Sequence, residues 1–210
     1  MTHTLPDALV QHLQSLIAHG ERRLLGLVGP PGAGKSTLSA AILAALPGQA
    51  QVVPMDGYHL AQAELERLGR AHRKGAPDTF DAAGYVALLR RLRDPRAGEI
   101  VYAPEFRREI EEPIAGAIPV FAETPLIITE GNYLLLDDPA WAPVRGLLDE
   151  VWYIDTDEVA RGAWLLARHV HHGRSAEAAA AWIAGTDEPN ARLIAAGKGR
   201  ADRLLRWPQP

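Results

Sequence analysis

The stretch Gly29-Pro30-Pro31-Gly32-Ala33-Gly34-Lys35-Ser36 narrows the choice of fold more than any other part of this chain. It fills the pattern GxxxxGK[ST], in which glycines let the backbone curl until several N–H groups face one point. Its flanks supply the context that the pattern needs. Leu24-Leu25-Gly26-Leu27-Val28 ahead of it reads as a buried strand, and Ser36–Leu46 behind it as an alanine-rich helix ended by Pro47-Gly48. Inward N–H groups and the positive end of a helix then act on the same point, which makes an anion site. The ligand implied is nucleotide phosphate. Lys35 reaches the β and γ groups, the Ser36 hydroxyl ligates Mg²⁺, and Gly29, Pro30, Pro31, Gly32, Ala33, Gly34 and Thr37 complete the cradle.

The remaining periodicity extends this unit into an α/β fold. A helix is expected over residues 7–19 behind Pro6, from the spacing of Leu9, Val10, Leu13, Leu16 and Ile17. A short strand over 51–55 leads into Asp56, a helix follows over 61–68, and 69–80 is a polar, basic loop. Asp81 caps a helix carrying Tyr85, Val86, Leu88, Leu89 and Leu92. The proline-broken region 98–124 holds short β-like pieces. Strands are expected at 126–129, 151–154 and 201–207, and helices at 157–171, 175–184 and 188–196. Such alternation predicts a mostly parallel sheet with helices on both faces, in one domain spanning residues 1–210. Ligands then bind beyond the carboxyl ends of the strands, so the polar clusters at 29–37, 56–59 and 130–132 should converge.

Composition excludes other chemistries. The chain has no cysteine, so disulfides, thiol nucleophiles and cysteine-held metals are out. Its formal charge of −4 gives no basic field for nucleic acid, and any polyanion must be held by a local cluster. No apolar run is long enough to span a bilayer, and MTHTLPDALVQHLQ lacks the pattern of a signal peptide. The expected location is the cytoplasm, without membrane. Of 22 basic residues only Lys35, Lys74 and Lys198 are lysine, so each lysine is informative.

Two carboxylates stand where phosphate chemistry needs them. Glu130 ends the apolar run 125–129 and is placed to hold Mg²⁺ opposite Ser36. Asp56 follows a strand, beside Tyr58 and His59, where a carboxylate can accept the proton of an attacking hydroxyl. An Asp-Gly pair is also an ordinary turn. His169, His171 and His172 suggest a metal cluster, although histidines at a helix end are equally favoured by the helix dipole. The tryptophans read as packing residues, with Trp182 or Trp207 able to border a nucleotide.

Together, Gly29–Thr37, Asp56–His59, the loop Lys74–Asp81 and Glu130-Gly131-Asn132 resemble the uridine kinase, phosphoribulokinase and bacterial pantothenate kinase family. The likeness is greatest to its bacterial branch of nucleoside/nucleotide and fructose-transport-system kinases, and it covers nearly the whole chain. The resemblance implies a P-loop NTPase three-layer α/β/α sandwich with a helical lid over about 161–185. It implies ATP and Mg²⁺ as cofactors, Asp56 as catalytic base, and lid arginines at Arg161, Arg168 and Arg174 on the phosphates. It also puts the segment from Asn190 to Asp202 near the adenine. The chain departs from the family pattern in two places: Trp164 and Leu165 stand where uridine kinases have more lid arginines, and Phe106 is followed by Arg107-Arg108 rather than an Asp-Arg pair.

The function implied is phosphoryl transfer from ATP to a hydroxyl of a small molecule: a sugar, a nucleoside or a pantothenate-like compound. Catalysis would rest on Lys35, Asp56 and Arg168, with acceptor contacts from Tyr58, His59, Lys74 and Arg108. A nucleotide-binding regulatory ATPase or switch with no small-molecule acceptor is the alternative. The expected partner is the hydroxyl acceptor, with a homodimer left open.

Overall fold

A computed structural model describes residues 4–207. The first helix, α1 (Asp7–Ile17), begins after Pro6, which caps the helix rather than filling its first turn, and buries Leu13. Strand β1 (Arg23–Val28) runs into the glycine-rich loop, and α2 (Lys35–Ala45) leaves it. Strand β2 is shorter than predicted, Ala50–Val52. Proline has no N–H to continue a ladder, and Pro54 instead opens a 3₁₀ turn over Met55–Tyr58, so Asp56 sits in that turn. After α3 (Gln62–Arg67), the loop to Phe80 contains two short 3₁₀ turns, 71–73 and 77–79. Helix α4 (Ala82–Arg93) is capped as expected, with Asp81 accepting from the Gly84 N–H.

Region 98–124 is one antiparallel hairpin, β3 (Ile100–Arg107) and β4 (Glu112–Phe121), with a register shift between Ala103 and Glu105 that accommodates Pro104. Strand β5 (Leu126–Gly131), the short α5 (Ala142–Arg145), β6 (Glu150–Ile154) and α6 (Glu158–His171) follow. Helix α7 (Ala176–Trp182) passes through a π-helical turn, Ile183–Asp187, directly into α8 (Glu188–Ala196). The last strand, β7, is confined to Arg203–Leu205. Residues 1–3 and 208–210 of the predicted domain lie outside the described residues.

The main sheet has the order β2-β5-β1-β6-β7, with every pair parallel. Alternate side chains serve opposite faces. Leu24, Val28, Ile127, Val151 and Tyr153 pack with α4 and the hairpin, whereas Leu25, Leu27, Ile128, Trp152 and Ile154 pack with α1 and α2. Burial on both faces is why these strands read as continuous apolar runs. Trp207 joins the second core and does not border the cleft. No helix among the described residues is long and apolar enough to cross a membrane. The order reverses around β1 and β5, and the cleft opens at their carboxyl ends.

Candidate active site

The loop after β1 curls over a cleft of about 850 Å³. Gly34 caps α2 with φ +87°, a left-handed conformation that side chains rarely adopt, so glycine is required at this corner. Pro31 through Thr37 line the cleft, while Gly29 and Pro30 contribute carbonyls behind it. Lys35 Nζ donates to the Gly29 carbonyl at 2.7 Å, the Pro30 carbonyl at 3.3 Å and Asn132 Oδ1 at 2.8 Å. Burial pushes the Lys35 ammonium down to about 8; Asp56 and Glu130 hold it up, and Arg168 and Arg108 act with burial.

Glu130 closes the other side of the phosphate site. It accepts from Ser36 Oγ at 2.9 Å and from Ser39 Oγ at 3.2 Å. Burial raises its carboxyl above the ordinary range, against these hydrogen bonds and the Lys35 charge. Ser36 and Glu130 are hard oxygen donors of the kind that fits Mg²⁺, which binds through one or two protein groups and completes its shell with phosphate and water. Among the described residues no group of three or more His, Asp or Glu side chains could hold a metal by itself. His171 and His172 meet edge to face with their ring centroids 5.4 Å apart, and His169 meets Asp187.

Asp56 faces the cleft from its 3₁₀ turn, with Arg108 Nη2 3.4 Å from Oδ2. The turn is held from behind by the hairpin: a Cβ on Gly57 would lie 2.3 Å from the Pro104 carbonyl oxygen, so only glycine permits this approach. His59 and Lys74 also line the cleft. The predicted acceptor residue Tyr58 does not. Its ring packs on Tyr85 at 5.5 Å, and burial raises its hydroxyl pKa to about 12. Consecutive residues point apart here, and His59 is the one that faces the ligand side.

The lid arginines divide. Arg168 and Arg174 line the cleft, Arg174 lying 4.2 Å over the ring of Trp182. Arg168 is exposed at the mouth by surface area, yet the protein around it, and then Arg108, lower its pKa. Arg161 is absent from the cleft lining, contrary to the expectation of a phosphate contact. It is 1% exposed and donates to Glu158 at 2.7 Å, Glu188 at 2.6 Å and the Pro31 carbonyl at 3.2 Å. Burial works against its charge, and the two carboxylates more than offset that. Arg161 therefore braces the loop from the side away from the cleft.

Sequence reasoning missed residues that hold the cleft's side chains in place. Asn132, two positions past Glu130, holds Lys35, and Ser39, one helical turn past Ser36, holds Glu130. Both spacings were readable signals. Asp187, which ends the π-helical turn, lines the cleft as well, and nothing in the sequence announces such a turn; of the segment from Asn190 to Asp202, expected near the adenine, Asn190 is among the cleft-lining residues.

Known proteins resemble this chain over most of its length. No protein-family model matches the chain. The chain is 34% identical over 80% of its length, and 74% of the other protein's, to a Schizosaccharomyces pombe protein named "Putative uridine kinase C227.14". It is 30% identical, over 75% of its length and 54% of the relative's, to a pantothenate kinase of Bacillus velezensis. Among solved structures, a "putative fructose transport system kinase" of Silicibacter sp. TM1040 superposes with a TM-score of 0.86 at 40% identity, covering 96% of this chain and 98% of that one. A complete phosphate loop, a Ser36–Glu130 pair across it, and these likenesses lead to one conclusion: the chain belongs to the P-loop small-molecule kinases, the family of uridine kinase and bacterial pantothenate kinase.

Proposed function

We propose that this chain transfers the γ-phosphoryl group of Mg·ATP to a hydroxyl group of a small molecule, with Asp56 as the base. The observation that carries the reading is the placement of Asp56: it shares one cleft with the phosphate loop, and its charge acts on Lys35 across it. A nucleotide switch has no use for a carboxylate set among His59, Lys74, Phe106 and Arg108 in the same cleft as the phosphate loop.

Bound Mg·ATP supplies the transferable phosphoryl group and the leaving ADP. The protein's own work is positional and electrostatic. The loop amides and Lys35 hold the phosphates in line, and Asp56 accepts the acceptor's hydroxyl proton as the new O–P bond forms and the bond to ADP breaks. Arg108 steadies the carboxylate, and Arg168 and Arg174 meet the charge that spreads over the transferring oxygens. Asp56→Asn tests the reading. Nucleotide binding by calorimetry should persist, and transfer should fall by about 10²–10⁴-fold, the usual contribution of a general base. Undiminished turnover in the variant would remove Asp56 from the mechanism.

A further inference from the structure

Away from the cleft many cations stand against carboxylates: Arg23 and Arg93 share Asp149, Arg73 meets Asp78, Arg145 meets Asp202, and Lys198 meets Asp155, while Arg22 rests on the backbone carbonyls of Leu92, Phe121 and Thr124. At the acceptor end of the cleft Lys74 has neutral hydrogen-bond partners while facing the ligand space. Lys74 Nζ donates to the backbone carbonyl of Glu111 and, at 3.4 Å, to Gln62 Oε1, and it stands 5.5 Å over the Phe106 ring. Each of these partners is neutral. Glu111 lines the cleft too, but it is its carbonyl, not its carboxylate, that holds Lys74. Arg108 faces Asp56 at 3.4 Å, the carboxylate that must stay free to take a proton.

Between these cations His59 is wedged at 4.0 Å from Phe80 and 4.5 Å from Phe106. Its Nδ1–H donates to the Asp56 carbonyl at 2.7 Å, which leaves Nε2 as an acceptor. Burial lowers its pKa, Asp56 opposes this, and Lys74 and Arg108 add to it, so the ring is neutral and brings no further charge. Bound nucleotide phosphates would answer Lys35, Arg168 and Arg174. They leave Lys74, on the loop after α3, without an answering anion, and Arg108, on the hairpin, with the base Asp56 alone.

We infer that the acceptor carries its own negative group, a carboxylate or a phosphate, near the hydroxyl that is phosphorylated, and that Lys74 and Arg108 receive it. The inference rests on the kinase reading above and names the substrate class within it. Charge-assisted hydrogen bonds to an oxyanion are the strongest such a pair can make. A neutral nucleoside or polyol would instead leave Lys74 with neutral partners alone. Arg108 touches Asp56, so the anion it holds lies within one guanidinium of the reacting hydroxyl. The class is therefore a small hydroxy acid or sugar phosphate.

The experiment is an ADP-release screen of the full chain with Mg·ATP and matched acceptor pairs: glycerate and glycerol, pantothenate and pantothenol, ribose 5-phosphate and ribose, with uridine as the neutral nucleoside. Turnover is expected for anionic members only, and which pair responds separates carboxylate from phosphate. With the acceptor found, Lys74→Met should raise its KM by about 10- to 100-fold, the worth of one hydrogen bond to a charged group. The KM for ATP should stay within about twofold. Uridine or a neutral member turned over as well as its charged partner overturns the inference and leaves the kinase reading intact, as does an unchanged acceptor KM in a folded Lys74→Met. Transfer to no acceptor, with ATP hydrolysis indifferent to Asp56→Asn, overturns the kinase reading and this inference together.

Discussion

Arg161 offers a test in which structure and sequence expectation give opposite answers. Arg161→Met keeps most of the buried stem and deletes the guanidinium, so Glu188, Glu158 and the Pro31 carbonyl all lose a donor. Removing one partner of a fully buried ion pair costs about 3–5 kcal/mol. Here the carboxylates are 34% and 73% exposed, so water can take over part of the load. The cost falls to about 2–3 kcal/mol, most of it from Glu188 and the loop carbonyl. In a chain of this size that is a fall in Tm of roughly 4–12 °C. Differential scanning calorimetry without nucleotide measures it, and titration calorimetry with Mg·ATP measures the companion quantity, which should weaken by no more than about threefold because Arg161 touches the loop from outside the cleft. A variant that melts within about 1 °C of the parent and binds Mg·ATP tenfold more weakly would refute this account, and would make Arg161 a phosphate ligand after all.

Three other outcomes are expected. Lys35 is held at about 8 in the folded chain against 10.5 for the free side chain, so the unfolded state binds its proton more tightly; in urea titrations the parent should gain stability relative to Lys35→Met as pH rises from 8 towards 10.5, and a constant difference would contradict the burial argument. Arg168→Ala should lower kcat by one to several orders of magnitude and weaken ATP affinity much less, with Arg168→Lys a partial rescue because lysine lacks the planar fork; a fully active Arg168→Ala would make this arginine a solvated surface group. Gly57→Ala should cost about 1–3 kcal/mol by thermal melt and raise the acceptor KM more than that of ATP, since the methyl must displace the Pro104 carbonyl and with it the Asp56–Arg108 pair; equal effects on both substrates would show the turn to be merely structural.

The sheet and the phosphate site were legible because their physics is local. Strands buried on both faces must be continuously apolar, and a loop that binds phosphate must be glycine-rich ahead of a helix, so Leu24–Val28, Gly29–Ser36 and the run into Glu130 could be read directly. What depended on packing could not. Arg161 and Arg168 lie about two turns apart on the same helix, yet one is sealed beneath the phosphate loop and the other opens into the cleft. Tyr58 and His59 differ only in which way a 3₁₀ turn points them. The hairpin was hidden by prolines: Pro104 sits at its register shift, and Pro113 and Pro119 stand within a two-stranded ribbon outside the main sheet.

That ribbon is a separate two-stranded sheet whose Val101, Ala103 and Val120 are buried beside α4, and its Pro104 carbonyl lies against Gly57 in the turn that carries Asp56. With those three side chains kept, the exposed remainder of the segment between Glu99 and Thr124 can change length and composition while the strands and the phosphate loop keep their places. A chimera carrying the hairpin of a relative with a different acceptor should keep its nucleotide and change its preference.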